Sequence, residues 1–107
     1  MIFLVIIFSK SYCPYSAMAK NILRTKYSII PTPYVVELNQ HPIGPALQNL
    51  LGQITGRFSV PNVMVNGKSI GGGDDMAALD KKGELKSTLK SVGGDLITEV
   101  KLRDGEK

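Results

Sequence analysis

The residues of this chain best suited to covalent chemistry lie in one short stretch, FSKSYCPYSAMAK, residues 8 to 20. It contains Cys13, the only cysteine, followed by Pro14 and, three positions on, Ser16. Two thiols at that spacing make a dithiol redox pair, but here the second position carries a hydroxyl, which forms no disulfide. A thiolate is the reactive form of cysteine, and unpaired N–H groups and the positive dipole end at a helix N-terminus stabilise it. Cys13 fits that place. An apolar run ends at Phe8, and Pro14 suits a first helical turn. Lys10 adds positive charge three residues upstream. The alternative is a buried structural thiol; the polar Ser9-Lys10-Ser11 approach and the following proline argue against it.

What a lowered thiol pKa achieves depends on the step. A drop from about 8.5 to about 5.5 raises the thiolate fraction at pH 7 roughly 30-fold. A Brønsted slope near 0.45 then removes roughly 20-fold in intrinsic nucleophilicity, so attack gains little. The larger gain comes when Cys13 must leave, because a low-pKa thiol is the better leaving group. With no resolving cysteine at position 16, the thiol that unloads Cys13 comes from solution, and glutathione is the abundant candidate. One sulfur suffices for a cycle of two exchanges.

The elements that must position this thiol are legible in outline. Ile2 to Phe8 reads as a strand buried on both faces. Tyr15, Met18, Ala19, Ile22 and Leu23 form the apolar stripe of a first helix. IIPTP, residues 29 to 33, breaks the chain, and YVVEL, 34 to 38, reads as a second buried strand. A second helix follows NQHPIGP, with a stripe of Ala46, Leu47, Leu50, Leu51 and Ile54, and stops at Thr55-Gly56. Asn66-Gly67 within VMVNGKSIGG predicts a hairpin whose turn has positive φ. Asp74 or Asp75 caps a third helix running through Leu79, and Gly83 and Glu84 separate it from a fourth carrying Leu85, Leu89 and Val92. The tail, residues 93 to 107, has no clear pattern. The order β-α-β-α-β-β-α(α), with a parallel first pair and an antiparallel hairpin, is the plan of an α/β, thioredoxin-like fold. Its sheet has four strands, flanked by helices.

Size and charge exclude other classes. The chain has 107 residues, enough for one small domain with a single core, and a formal net charge of +4. Lys81, Lys82, Lys86 and Lys90 read as a solvated helix face rather than a nucleic-acid patch, since no arginine-rich run with interleaved aromatics accompanies them. One cysteine excludes an intrachain disulfide and an all-cysteine zinc site. The opening MIFLVIIF is far shorter than the roughly 20 apolar residues of a membrane span and lacks the flanks of a signal peptide. A strand that starts at the first residue suggests a trimmed chain, from which an upstream anchor or linker has been removed.

The motifs resemble the glutaredoxin family over residues 2 to about 92, with 93–107 as a C-terminal tail of the same domain. SKSYCPYS is similar to the family's active-site loop. TGRFSVPNVMVNGKSIGGGDDM is similar to its Thr-Val-Pro segment, hairpin and Gly-Gly-x-x-Asp corner, with Ser59 in place of threonine. The monothiol loop, with PYVVELNQH, LQ and TGR, most resembles fungal monothiol glutaredoxins of the early secretory pathway, and less the Cys-Gly-Phe-Ser class. The resemblance implies a lumenal domain of the ER or Golgi, with the cytoplasm as the alternative. It further implies a glutathione groove. Lys10 and Gln48 would bind the glycine carboxylate, Tyr15 would line the groove, and Val60 would pair its backbone with the peptide's cysteine ahead of a cis Pro61. Gly73 and Asp74 would offer N–H groups to the γ-glutamyl carboxylate, and Asp75 would accept from its ammonium. Helix capping alone is the alternative for the two aspartates. Many family members carry an arginine where Phe58 stands, so a contribution of the shifted Arg57 to the glycine carboxylate is put in doubt. His41, the only histidine, reads as a loop residue.

Two functions follow. One is a monothiol, glutathione-dependent oxidoreductase acting on protein–glutathione and small mixed disulfides through a Cys13–glutathione intermediate, working as a monomer without nucleic-acid or membrane contacts. The other is a dimer in which two Cys13 thiolates and two glutathiones hold a [2Fe–2S] cluster. Pro14 stiffens the loop beside the sulfur and speaks against the second.

Overall fold

The computed structural model describes residues 3–103. Strand β1, Val5–Ser9, is central: Val5, Ile7 and Ser9 are buried on one face, and Ile6 and Phe8 are half-buried on the other. The expected strand buried on both faces is therefore covered unequally, and its expected start at Ile2 lies outside the described residues. β1 pairs in parallel with β3, Tyr34–Glu37, and antiparallel with β4, Asn62–Val65, which continues into β5, Lys68–Gly71. The sheet order is β3-β1-β4-β5, the expected four-stranded mixed sheet. Asn66 and Gly67 turn the β4–β5 hairpin with φ of 51° and 79°, the left-handed pair that Asn-Gly favours. β3 is an edge strand with Tyr34 exposed, not the buried strand that YVVEL suggested.

Helices α1 (Pro14–Lys20), α3 (Gly73–Lys82) and α4 (Leu85–Gly93) share one core with Val5, Ile7, Val63 and Val65 of the sheet. Ala19 of α1, Met76 of α3 and Leu85 and Leu89 of α4 are its fully buried contributions. A π-helical turn, Asn21–Lys26, continues α1 and adds Ile22 and Leu23. Helix α2, Gly44–Thr55, buries Leu51 outside that core. Of its expected stripe, Leu51 is buried and Leu47 half-buried, while Ala46, Leu50 and Ile54 are exposed.

A second sheet was not foreseen. β2, Tyr27–Ile30, pairs antiparallel with β6, Glu99–Leu102, so residues 29 and 30 of the expected break are strand and the unassigned tail supplies its partner. Ile29, Ile97 and Val100 from this ribbon and the turn before it enter the main core. Among the described residues, no helix is long and apolar enough to cross a membrane.

Candidate active site

Cys13 is the residue immediately before α1, with extended backbone at φ −88° and ψ 123°. Its N–H donates to the Lys10 carbonyl at 3.0 Å, and its own carbonyl accepts the Ala17 N–H at 3.0 Å. The loop leading to it is tied to the turn after β3. Asn39 Oδ1 accepts the Ser11 N–H at 2.9 Å, and Asn39 Nδ2 donates to Ser11 Oγ at 2.7 Å. Just upstream, Ser9 Oγ donates to Glu37 Oε1 at 2.8 Å, and Lys20 Nζ reaches Glu37 Oε2 at 2.8 Å. β1, α1 and β3 are thereby joined behind the loop.

The thiol is half-buried, and burial alone pushes its pKa up. Hydrogen bonds from the N–H and hydroxyl of Ser16, then the N–H of Tyr15, then the Lys10 charge outweigh that and hold it below the usual thiol range. Local hydrogen bonding thus does most of the lowering, with Lys10 the smallest contribution. Ser16 is fully buried, and its Oγ also accepts the Lys10 N–H at 3.2 Å.

Tyr15, two residues beyond the thiol, opens a groove of ≈ 420 Å³. Its walls are Tyr15, the segment Arg57, Ser59, Val60 and Pro61, and the start of α3 from Gly72 to Asp75. The Val60–Pro61 bond is cis, as expected. A Cβ on Gly73 would sit 2.6 Å from the Tyr15 carbonyl oxygen, so only glycine lets α3 start against α1. Gly72 is the N-cap of α3, and Asp75 closes the cap by accepting the Gly72 N–H at 2.8 Å. The cap expected at Asp74 or Asp75 is therefore shifted, with Asp75 serving it from the third helical position. The first N–H groups of α3 have no partner within the helix and face this end.

The groove brings together Tyr15, Val60, Pro61, Gly73, Asp74 and Asp75. Lys10 and Gln48 line a different hollow of ≈ 220 Å³ with Tyr12, Asn39 and His41. Gln48 Nε2 donates to the Phe58 carbonyl at 2.7 Å, so one amide proton is already used. His41 is an exposed loop residue whose Nδ1 accepts the Ile43 N–H at 3.2 Å. Among the described residues, no three His, Cys, Asp or Glu side chains gather as a metal site. Arg57, whose part in binding the glycine carboxylate its position in sequence puts in doubt, lies in the wall of the Tyr15 groove, away from Lys10 and Gln48, and pairs with Asp75 at 3.0 Å. Its signal was there to read, as the only charge between Gly56 and Pro61.

A sheet of this topology, with a lone thiol before its first helix and a cis proline in the groove that Tyr15 opens, is the thioredoxin-like architecture of thiol-exchange proteins. The glutaredoxin family model matches residues 5–70, and the chain belongs to that family of thiol oxidoreductases. It is 46% identical over 96 residues to Glutaredoxin-C4 of Arabidopsis thaliana, covering 90% of this chain and 68% of that one. It is 43% identical over 94 residues to Monothiol glutaredoxin-7 of Saccharomyces cerevisiae, covering 88% of this chain and 46% of that one. The chain thus spans less than half the length of the yeast relative. A solved buckwheat glutaredoxin–glutathione complex superposes with a TM-score of 0.68 at 34% identity, over 84% of this chain and 79% of that one.

Proposed function

We propose that this chain is a glutathione-dependent monothiol oxidoreductase that removes glutathione from protein and small mixed disulfides. The observation that carries the reading is the free Cys13 thiol immediately before α1, with the buried hydroxyl of Ser16 at the very position where a resolving thiol would stand. In the first exchange, the Cys13 thiolate attacks the glutathione sulfur of a mixed disulfide. The Cys13–glutathione bond forms, and the substrate thiolate leaves and takes a proton from water. In the second, a glutathione thiolate attacks the glutathione sulfur of that adduct, producing oxidised glutathione and returning the Cys13 thiolate. Each step exchanges one disulfide for another, so no further oxidant or reductant is needed. The lowered pKa favours the second step, where Cys13 is the leaving group.

The groove beside Tyr15 is where we place the γ-glutamyl and cysteinyl parts of glutathione. Val60 offers its backbone to the cysteinyl residue, the free N–H groups at Gly73 and Asp74 face the γ-glutamyl carboxylate, and Asp75 takes the ammonium. Lys10 and Gln48, from the neighbouring hollow, take the glycine carboxylate. The likeness to a buckwheat glutaredoxin solved with glutathione supports this assignment. The motif resemblance supports action in the lumen of the early secretory pathway.

The direct test mixes the reduced protein with excess glutathionylated peptide and no free glutathione. One equivalent of peptide thiol is expected, with glutathione on Cys13 by mass spectrometry. Absence of the adduct overturns the reading; bound iron with absorbance beyond 400 nm in the presence of glutathione would then assign Cys13 to a [2Fe–2S] centre shared between two chains.

A further inference from the structure

Arg57 and Phe58 are neighbours that face opposite walls of the site. The Phe58 ring lies over Gly52 of α2 and, with Pro45, Gln48 and Asn49, lines a hollow on that side. Arg57 turns the other way, toward α3: its Nη2 is 3.0 Å from Asp75 Oδ2 and its Nη1 is 3.4 Å from Ser59 Oγ. An arginine at position 58 would put its charge on the Gln48 side. At position 57 the charge sits with Asp75.

The placement is built into the frame. The Arg57 N–H donates to Thr55 Oγ1 at 3.1 Å, and Thr55 in turn donates to the Leu51 carbonyl at 2.6 Å and accepts from the buried Asn62 amide at 3.3 Å. The main chain from which the guanidinium extends is thereby fixed between α2 and β4. At the other end, a Cβ on Gly72 would come 2.7 Å from Arg57 Nη1 and 3.1 Å from the Pro61 carbonyl oxygen, so the bare glycine leaves the space the guanidinium fills.

We infer that Arg57 is a specificity-determining residue, which takes the α-carboxylate of an incoming γ-glutamyl group while Asp75 takes the ammonium on the same carbon. This rests on the glutathione reading above and deepens it. The Arg57–Asp75 bridge is half-exposed, hence weak and easily exchanged. One guanidinium and one carboxylate side by side in a groove complement the head of a free α-amino acid, one carboxylate and one ammonium. Binding exchanges one ion pair for two, and every charge keeps a partner. A ligand with a neutral head leaves the bridge closed and gains neither contact.

The test is a double-mutant cycle between protein and substrate. The rate of glutathione transfer to Cys13 is measured for a glutathionylated peptide and for the same peptide carrying glutathione amidated at its γ-glutamyl α-carboxylate, using the unaltered protein, Arg57→Ala and Arg57→Lys. In the unaltered protein, amidation slows transfer. In Arg57→Ala that penalty shrinks by about tenfold, the size of one charge-assisted hydrogen bond, and Arg57→Lys restores part of it. An equal amidation penalty in all three proteins, with transfer from glutathione intact, overturns the role of Arg57 alone. Absence of Cys13-dependent transfer in the unaltered protein overturns the glutathione reading itself and this inference with it.

Discussion

The Ser16 hydroxyl accepts the Lys10 N–H at 3.2 Å and helps hold the Cys13 pKa below the usual thiol range, so the residue that replaces a second thiol also prepares the first. From the sequence, Ser16 is notable only for what it lacks. Its burial depends on how α1 packs against β1, which no spacing within the loop encodes. In Ser16→Ala the Cys13 pKa rises toward the ordinary thiol value, because hydroxyl donation to the thiolate is gone while burial remains. The midpoint of the pH dependence of iodoacetamide alkylation accordingly moves up, while the alkylation rate at neutral pH changes little because the more basic thiolate is the better nucleophile. An unchanged midpoint would show that the serine only fills space. Arg57 teaches the converse lesson. A shift of one residue along an extended segment moves a side chain to the other wall, so a charge displaced from its expected position changes partner rather than disappearing.

The hairpin and helices α3 and α4 were legible because their signals are local: Asn66-Gly67 sets its own φ, and Leu85 and Leu89 share one face of a short helix. The stripe of α2 misled for a physical reason. Period shows that a helix is two-sided but not how much neighbouring structure covers the apolar side; α2 buries Leu51 and leaves Leu50 and Ile54 exposed. The β2–β6 ribbon was unreadable because its strands are four residues each and lie far apart in sequence, so only pairing in space identifies them. It is secured to α3 by a cluster that single-residue reading also misses. Tyr27 Oη donates to Asp80 Oδ1 at 2.6 Å, and Lys26 Nζ lies 2.6 Å from Asp80 Oδ2. Burial first, then the Asp80 hydrogen bond and charge, push the Tyr27 pKa up to about 12. The folded state therefore binds this proton more tightly than the unfolded chain, where tyrosine titrates near 10. The resulting stabilisation is complete below about pH 10 and is lost as pH rises toward about 12. Tyr27→Phe should lose about 1.5–3 kcal/mol at neutral pH, the range for a hydrogen bond to a charged group. Urea unfolding should also show a shallower decline of its stability above pH 10. The same alkaline decline in both proteins would contradict the assignment.

Across the whole molecule, the site is made where distant segments converge on one end of the sheet. The thiol comes from the β1–α1 turn, the cis-proline wall from the entry to β4, and the opposite wall from the start of α3. Each segment carries a motif, so the residues of the groove were nameable from the sequence. Their division between two hollows, with Lys10 and Gln48 in one and the α3 residues in the other, was not, because it depends on where the Arg57–Pro61 segment runs between the helices. The central claim is that one thiol, without a resolving partner, completes a catalytic cycle with glutathione. Steady-state release of thiol from a glutathionylated peptide, with free glutathione present, tests it most directly when the unaltered protein and Cys13→Ser are compared. The account predicts multiple turnovers that depend on Cys13 and form oxidised glutathione in step with peptide thiol. Turnover no faster than that of the serine protein would contradict it.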